Sequence, residues 1–151
     1  MEGVLVVVHL LAAAVWVGGS TALIFVGVPA IRLIEDTAAR GRAMRALGLR
    51  WRPLGYGALL VAAVTGVGLA TREWESRPAF EIVFWVKVGL ATCLVAVSYV
   101  HNFVLGPRLQ AEVREGRPQR TRPQLVAVGW LSYSLTIAVP VLGVVLSRLV
   151  G

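Results

Sequence analysis

The chain has 151 residues, 57% of them hydrophobic and 15% charged, and a formal net charge of +7. A soluble domain spreads charge over every element, whereas here it is confined to two loops, one short connector, the chain ends and Lys87, which excludes an ordinary soluble fold. One cysteine, Cys93, excludes an internal disulfide and reads as a small buried hydrophobe.

Four apolar stretches, at about residues 4–31, 53–70, 80–105 and 125–146, each meet the roughly 17 to 25 residues needed to cross hydrocarbon. The expected fold class is therefore all-α: a polytopic membrane protein, one domain over residues 1–151, built as a bundle of four transmembrane helices. The first stretch resembles a secretory signal in its apolar run and in the small residues Gly18, Gly19 and Ser20. It lacks a basic start and runs on far beyond roughly 15 apolar residues, so it reads as a retained span. On its helical wheel His9, Trp16 and Ser20 share one face within about 40°.

Arg32, Arg40, Arg42, Arg45, Arg50 and Arg52 fall in the first loop, which reads first as a solvated loop that fixes topology and, as the alternative, as a cationic helix on the inner leaflet with Leu33, Ile34, Met44 and Leu47 as its apolar side. Arg108, Arg114, Arg117, Arg120 and Arg122 fall in the third loop. Cationic loops stay on the cytoplasmic side, so both termini are expected outside and loops 32–52 and 108–124 inside, as in the inner membrane of a prokaryote. This placement accounts for the basic excess without nucleic acid; the partners expected are the lipid bilayer and a second copy of the chain in a homodimer. Trp51 and Trp130 near the inner ends and Trp74 and Trp85 near the outer ends read as aromatic belts, with Trp16 the exception. Small residues at fourfold spacing, Ala14–Gly18–Ala22 and Ala58–Ala62–Gly66–Ala70, read as helix-packing stripes.

Pro29 and Pro107 read as following helix ends, Pro53 as a first-turn proline and Pro140 as a kink within the fourth span. The segment 116–123 reads as irregular, and no internal repeat stands out.

The third span holds the only lysine, Lys87, and the second histidine, His101. An ionisable group at mid-bilayer costs roughly 2.5 kcal/mol or more, so a span keeps one only for buried work. Lys87, Leu94, Ser98 and His101 share one face within about 60°, Cys93 lies on the far side, and Gly129, Ser132, Thr136 and Gly143 form a small polar strip on the fourth span. His9 and Lys87 come at one outer-leaflet level, whereas His101 lies about 21 Å further along its helix. One haem bridging His9 and His101 within a subunit is therefore excluded. Haem on His9 is left open, with Lys87 as second ligand or as cation for a propionate. His9 can also be a hydrogen-bonded structural histidine or a proton relay, and His101 reads as structural. Candidate cofactor-binding residues are His9, Lys87, Trp16, Ser98 and His101, with His9 the metal ligand. Soluble-enzyme signatures are missing, and no catalytic residue is assigned.

The run His9-Leu-Leu-Ala-Ala-Ala-Val-Trp16-Val-Gly18-Gly19 resembles the first-span signature of the copper-resistance protein D (CopD) superfamily. Trp85-Val-Lys87-Val-Gly-Leu followed by Tyr99-Val-His101 is similar to the third span shared by CopD domains and HemJ-type protoporphyrinogen oxidases. The resemblance implies a four-helix membrane domain, concerned with copper uptake in CopD proteins and with haem-b-dependent oxidation in HemJ proteins. It also implies that His9 and Lys87 are the functional pair. The fourth span departs from the HemJ pattern, reading Trp130-Leu-Ser132-Tyr133-Ser134 with no charge before Pro140. Expected functions are a haem-b redox protein, a copper-binding or copper-import protein in which His9 and Met1 take the ion, and a cofactor-free membrane scaffold.

Overall fold

The computed structural model describes residues 2–70 and 78–150. The chain is an all-α, multi-pass membrane protein, with four helices long and apolar enough to cross a bilayer: Gly3–Arg32, Thr37–Ala70, Glu81–Arg114 and Thr121–Val145. Its residues group into two compact units, 1–75 and 76–151, each a pair of antiparallel long helices, where the sequence reads as one domain.

The first hairpin consists of α1 (Glu2–Ala22), a π-helical segment at Leu23–Gly27, α2 (Val28–Arg32) and α3 (Thr37–Ala70). Helix α1 buries Ala12 and Trp16, one turn apart, and turns Val4, Leu10 and Leu11 outward, as a span whose other faces are solvated by lipid does. The expected helix end at Pro29 is corrected: the helix continues through it. Proline lacks the N–H that an α-helical turn needs, and the chain widens just ahead of it, with the Val28 N–H donating to the Leu23 carbonyl.

The first loop is also corrected. Only residues 33–36 are non-helical, and the arginine-rich segment from Thr37 is the start of a 34-residue helix, about 51 Å long. Asp36 starts it by accepting the Ala38 N–H at 2.9 Å on its carboxylate. Pro53 thus lies inside α3 rather than in a first turn. Leu47 meets the π-helical segment at Gly27, where a Cβ would come 3.2 Å from its methyl. Of the two small-residue stripes, Ala14, Gly18 and Ala22 are exposed, and Gly18 has no neighbour within 4 Å. The close approach is made by Gly19 instead.

The second hairpin consists of α4 (Pro78–Tyr99), a π-helical segment at Val100–Leu105, α5 (Gly106–Arg114) and α6 (Thr121–Val150). Pro107 repeats the behaviour of Pro29: the Gly106 N–H donates to the His101 carbonyl and the helix runs on. Helix α6 is continuous through Pro140. The turn between α5 and α6 is tied at both sides. Gly116 takes φ +63°, a left-handed value that favours glycine, while the Arg117 N–H reaches back to the Glu112 carbonyl. The Glu112 carboxylate accepts both the N–H and the hydroxyl of Thr121, at 3.1 and 2.6 Å, closing the start of α6 onto the end of α5.

Candidate functional site

In the first hairpin His9 projects from α1 onto the small-residue stripe of α3. Its ring lies over Gly66, where a Cβ would come 3.1 Å from the imidazole Cε1. Only glycine leaves the ring that close to the α3 backbone. Nδ1 is 2.9 Å from the Ala62 carbonyl and 3.0 Å from the Thr65 hydroxyl oxygen. A carbonyl only accepts, so Nδ1 carries the proton and, in the neutral ring, the lone pair is on Nε2. Thr65, 8% exposed, is held in turn by donating its hydroxyl to the Val61 carbonyl at 2.7 Å. An imidazole anchored through one nitrogen, with the lone pair fixed on the other, is the usual setting of a metal-ligating histidine.

Deeper along α1, Trp16 is 6% exposed and meets the rings of Trp51, at 6.2 Å between centroids, and Tyr56, at 6.0 Å. Trp51 lies across Gly19 of α1 and against Gly55 of α3; a Cβ at Gly19 would run into its ring, and one at Gly55 would come within 2.8 Å. The belt role expected of Trp51 is thereby corrected: a ring that fills a glycine notch between two helices belongs to the hairpin contact. Trp85 and Trp130 are 62% and 52% exposed, as belt residues are, and Trp74 lies outside the described residues.

In the second hairpin the two polar faces read from the sequence meet. Lys87 lies over Gly143, where a Cβ would come 3.1 Å from Nζ; Ser98 and Ser132 share a 2.8 Å hydrogen bond; His101 lies over Gly129, again 3.1 Å from a Cβ there. These contacts keep one antiparallel register along α4 and α6. Ser98, Leu94 and Thr136 are 1 to 2% exposed and form the centre of the hairpin. Asn102 donates to the Ser98 carbonyl at 2.9 Å, beside the π-helical segment that carries His101. Cys93 faces away from this contact, as expected, but is exposed rather than buried, on the side of α4 turned away from α6.

His9 and Trp16 thus share the first hairpin, and Lys87, Ser98 and His101 the second. The α3 partners of His9 are absent from the reading of the sequence. Thr65 left a signal as the only serine or threonine of the second span, within a run of alanine and glycine; the Ala62 carbonyl left none. Among the described residues no three His, Cys, Asp or Glu side chains gather as a metal site, and Met1 lies outside them. What is built at His9 is a single oriented nitrogen donor. No protein-family model, curated protein or solved structure matches the chain.

Proposed function

We propose that the chain is a CopD/HemJ-like membrane protein holding a redox-active centre, haem b, ligated by Nε2 of His9 near the outer end of the first hairpin. The observation that carries this reading is the anchored imidazole, whose Nδ1–H is directed to Ala62 and Thr65. A porphyrin brings four donors of its own, so one oriented imidazole suffices for iron, whereas bare copper needs several protein ligands, preferably soft ones. When bound, haem supplies one-electron redox chemistry. The protein's part is to fix the ring orientation, to hold the Nδ1 proton, and to surround the ligand with the apolar side chains of α1 and α3. Lys87 is proposed as the second functional side chain, a cation able to hold an anion within the second hairpin. The protein is proposed to lie in the inner membrane of a prokaryote, with the arginine-rich segments 32–52 and 108–124 in the cytoplasm and both termini outside.

The test is an absorption spectrum, with metal analysis on the same sample, of the full chain purified after expression with ample haem. A Soret band that His9→Ala removes is expected. Colourless protein sinks the haem reading, and stoichiometric copper lost with His9→Ala replaces it with the copper one. Neither colour nor metal leaves the scaffold.

A further inference from the structure

The two hairpins carry one sequence pattern in one register. Moving α1 onto α4 so that His9 falls on Lys87, a shift of 78 residues, brings Ser20, Phe25, Val26 and Pro29 onto Ser98, Phe103, Val104 and Pro107. Moving α3 onto α6 so that Gly66 falls on Gly143, a shift of 77, brings Leu54, Tyr56, Val64 and Val67 onto Leu131, Tyr133, Val141 and Val144. Coinciding valines are expected of apolar spans. The whole chain has only four Phe, seven Pro and three Tyr, so the coincidences of Phe25, Pro29 and Tyr56 carry more weight than those of valine, while Pro53 and Pro140 fall on Trp130 and Ala63.

Two structural features agree with these shifts, which are themselves set by a seat of like geometry in each hairpin. The π-helical segments Leu23–Gly27 and Val100–Leu105 fall on one another, each ending just ahead of the matched proline. Trp16 and Leu94, 6% and 2% exposed, are buried at coinciding positions, beside Ala12 on α1 and Ser98 on α4, whose counterparts Leu90 and Ser20 are half-buried. The side chain at position 9 lies over Gly66 as the side chain at position 87 lies over Gly143, at 3.1 Å from a Cβ in both.

We infer that the chain is a tandem duplication of one helical hairpin, and that Lys87 over Gly143 is the second copy of the seat that His9 occupies over Gly66. The residue at this one register then sets the ligand class of its hairpin: an imidazole takes a Lewis acid, an ammonium takes an anion. The copies differ in their supports. Val139 stands where Ala62 does, and any residue there offers a carbonyl; Leu142 stands where Thr65 does, without its hydroxyl. Lys87→His together with Leu142→Thr therefore rebuilds the imidazole seat in the second hairpin. Only the ligand named at His9 rests on the proposed function, since the duplication stands on sequence and geometry.

The test is ¹⁵N-histidine NMR of the full-length double variant, free of cofactor, in detergent. A third imidazole protonated at Nδ1 and matching His9 is expected; one protonated at Nε2, or titrating as a solvent-exposed ring, in a protein that melts like the parent overturns the inference. A second arm decides the matter should that variant not fold. Gly66→Val and Gly143→Val each lower the melting temperature, the first by more because the His9 ring is held while the Lys87 ammonium ends a flexible chain, and Gly57→Val and Gly89→Val, which meet open space, leave it unchanged. No drop at Gly143 beyond that of Gly89 overturns the equivalence. With haem supplied, Lys87→His and Leu142→Thr together restore the Soret band that His9→Ala removes. A parent that shows no such band fails the proposed function alone and leaves the NMR and melting results to judge the duplication.

Discussion

In the first hairpin the contact beyond His9 is aromatic: Trp16 against Trp51 and Tyr56, with Trp51 filling notches at Gly19 and Gly55. In the second hairpin the same stretch holds Leu94, the Ser98–Ser132 hydrogen bond and buried Thr136. Lipid is as apolar as leucine, so burying side chains gives membrane helices little drive to associate, and they rely on shape or on hydrogen bonds. One hairpin uses the first device and the other the second. The lesson is that one register of close approach accepts either solution, provided a glycine or a small residue faces each bulky or polar group.

The contrast breaks most sharply at Gly19. Gly19→Val drives a side chain into the Trp51 ring, and overpacking of this kind costs about 1 to 3 kcal/mol, read as a lower melting temperature in detergent. No comparable loss is expected from Gly18→Val, one position away in open space; equal losses at both sites would dissolve the idea that the ring notch holds the hairpin. Next comes Thr65→Val, which removes one of two acceptors of the His9 Nδ1–H. Outer partners of metal-bound histidines are worth about tenfold or more in affinity, so haem retention is expected to weaken by about that factor, measured by transfer of haem to an acceptor protein. Unchanged retention would mean that the Ala62 carbonyl alone orients the ring.

In the second hairpin Ser98→Ala and Ser132→Ala are expected to cost about 0.6 to 1.7 kcal/mol each and to be strongly non-additive, because they remove the two ends of one bond. A double-mutant cycle by reversible unfolding checks this, and strict additivity would sever the pair. The smallest effect belongs to Cys93→Ser, on the exposed side of α4, with a change within about 0.5 kcal/mol expected on the same assay.

Much of this was legible because a helix repeats its faces every 100°. His9 and Trp16 on α1, Lys87 to His101 on α4, and Gly129 to Gly143 on α6 all face inward within their hairpins, as lipid around a helix requires of polar groups. What stayed hidden has identifiable causes. Hydropathy reports where lipid begins, not where a helix begins, so the arginine-rich start of α3 read as a loop although Ala, Arg, Leu and Met are strong helix formers. Proline read as a stop at Pro29 and Pro107 because a π-helical widening that lets the chain continue leaves no mark in composition. Trp51 read as a belt residue since its depth fits one; only the glycine opposite, 32 positions away at Gly19, reveals its true neighbour. The inferred duplication is faint in the sequence because the two shifts, 78 and 77, differ by one residue and the residue at the seat itself is histidine in one hairpin and lysine in the other.

The proposal for the site depends on which nitrogen of His9 carries the proton. ¹⁵N-histidine NMR of the unmodified chain without cofactor reads this directly. The account predicts a His9 ring protonated at Nδ1 and shielded from exchange, with the lone pair on Nε2. A ring protonated at Nε2 would set the Nδ1 lone pair against the Ala62 carbonyl oxygen and contradict the account.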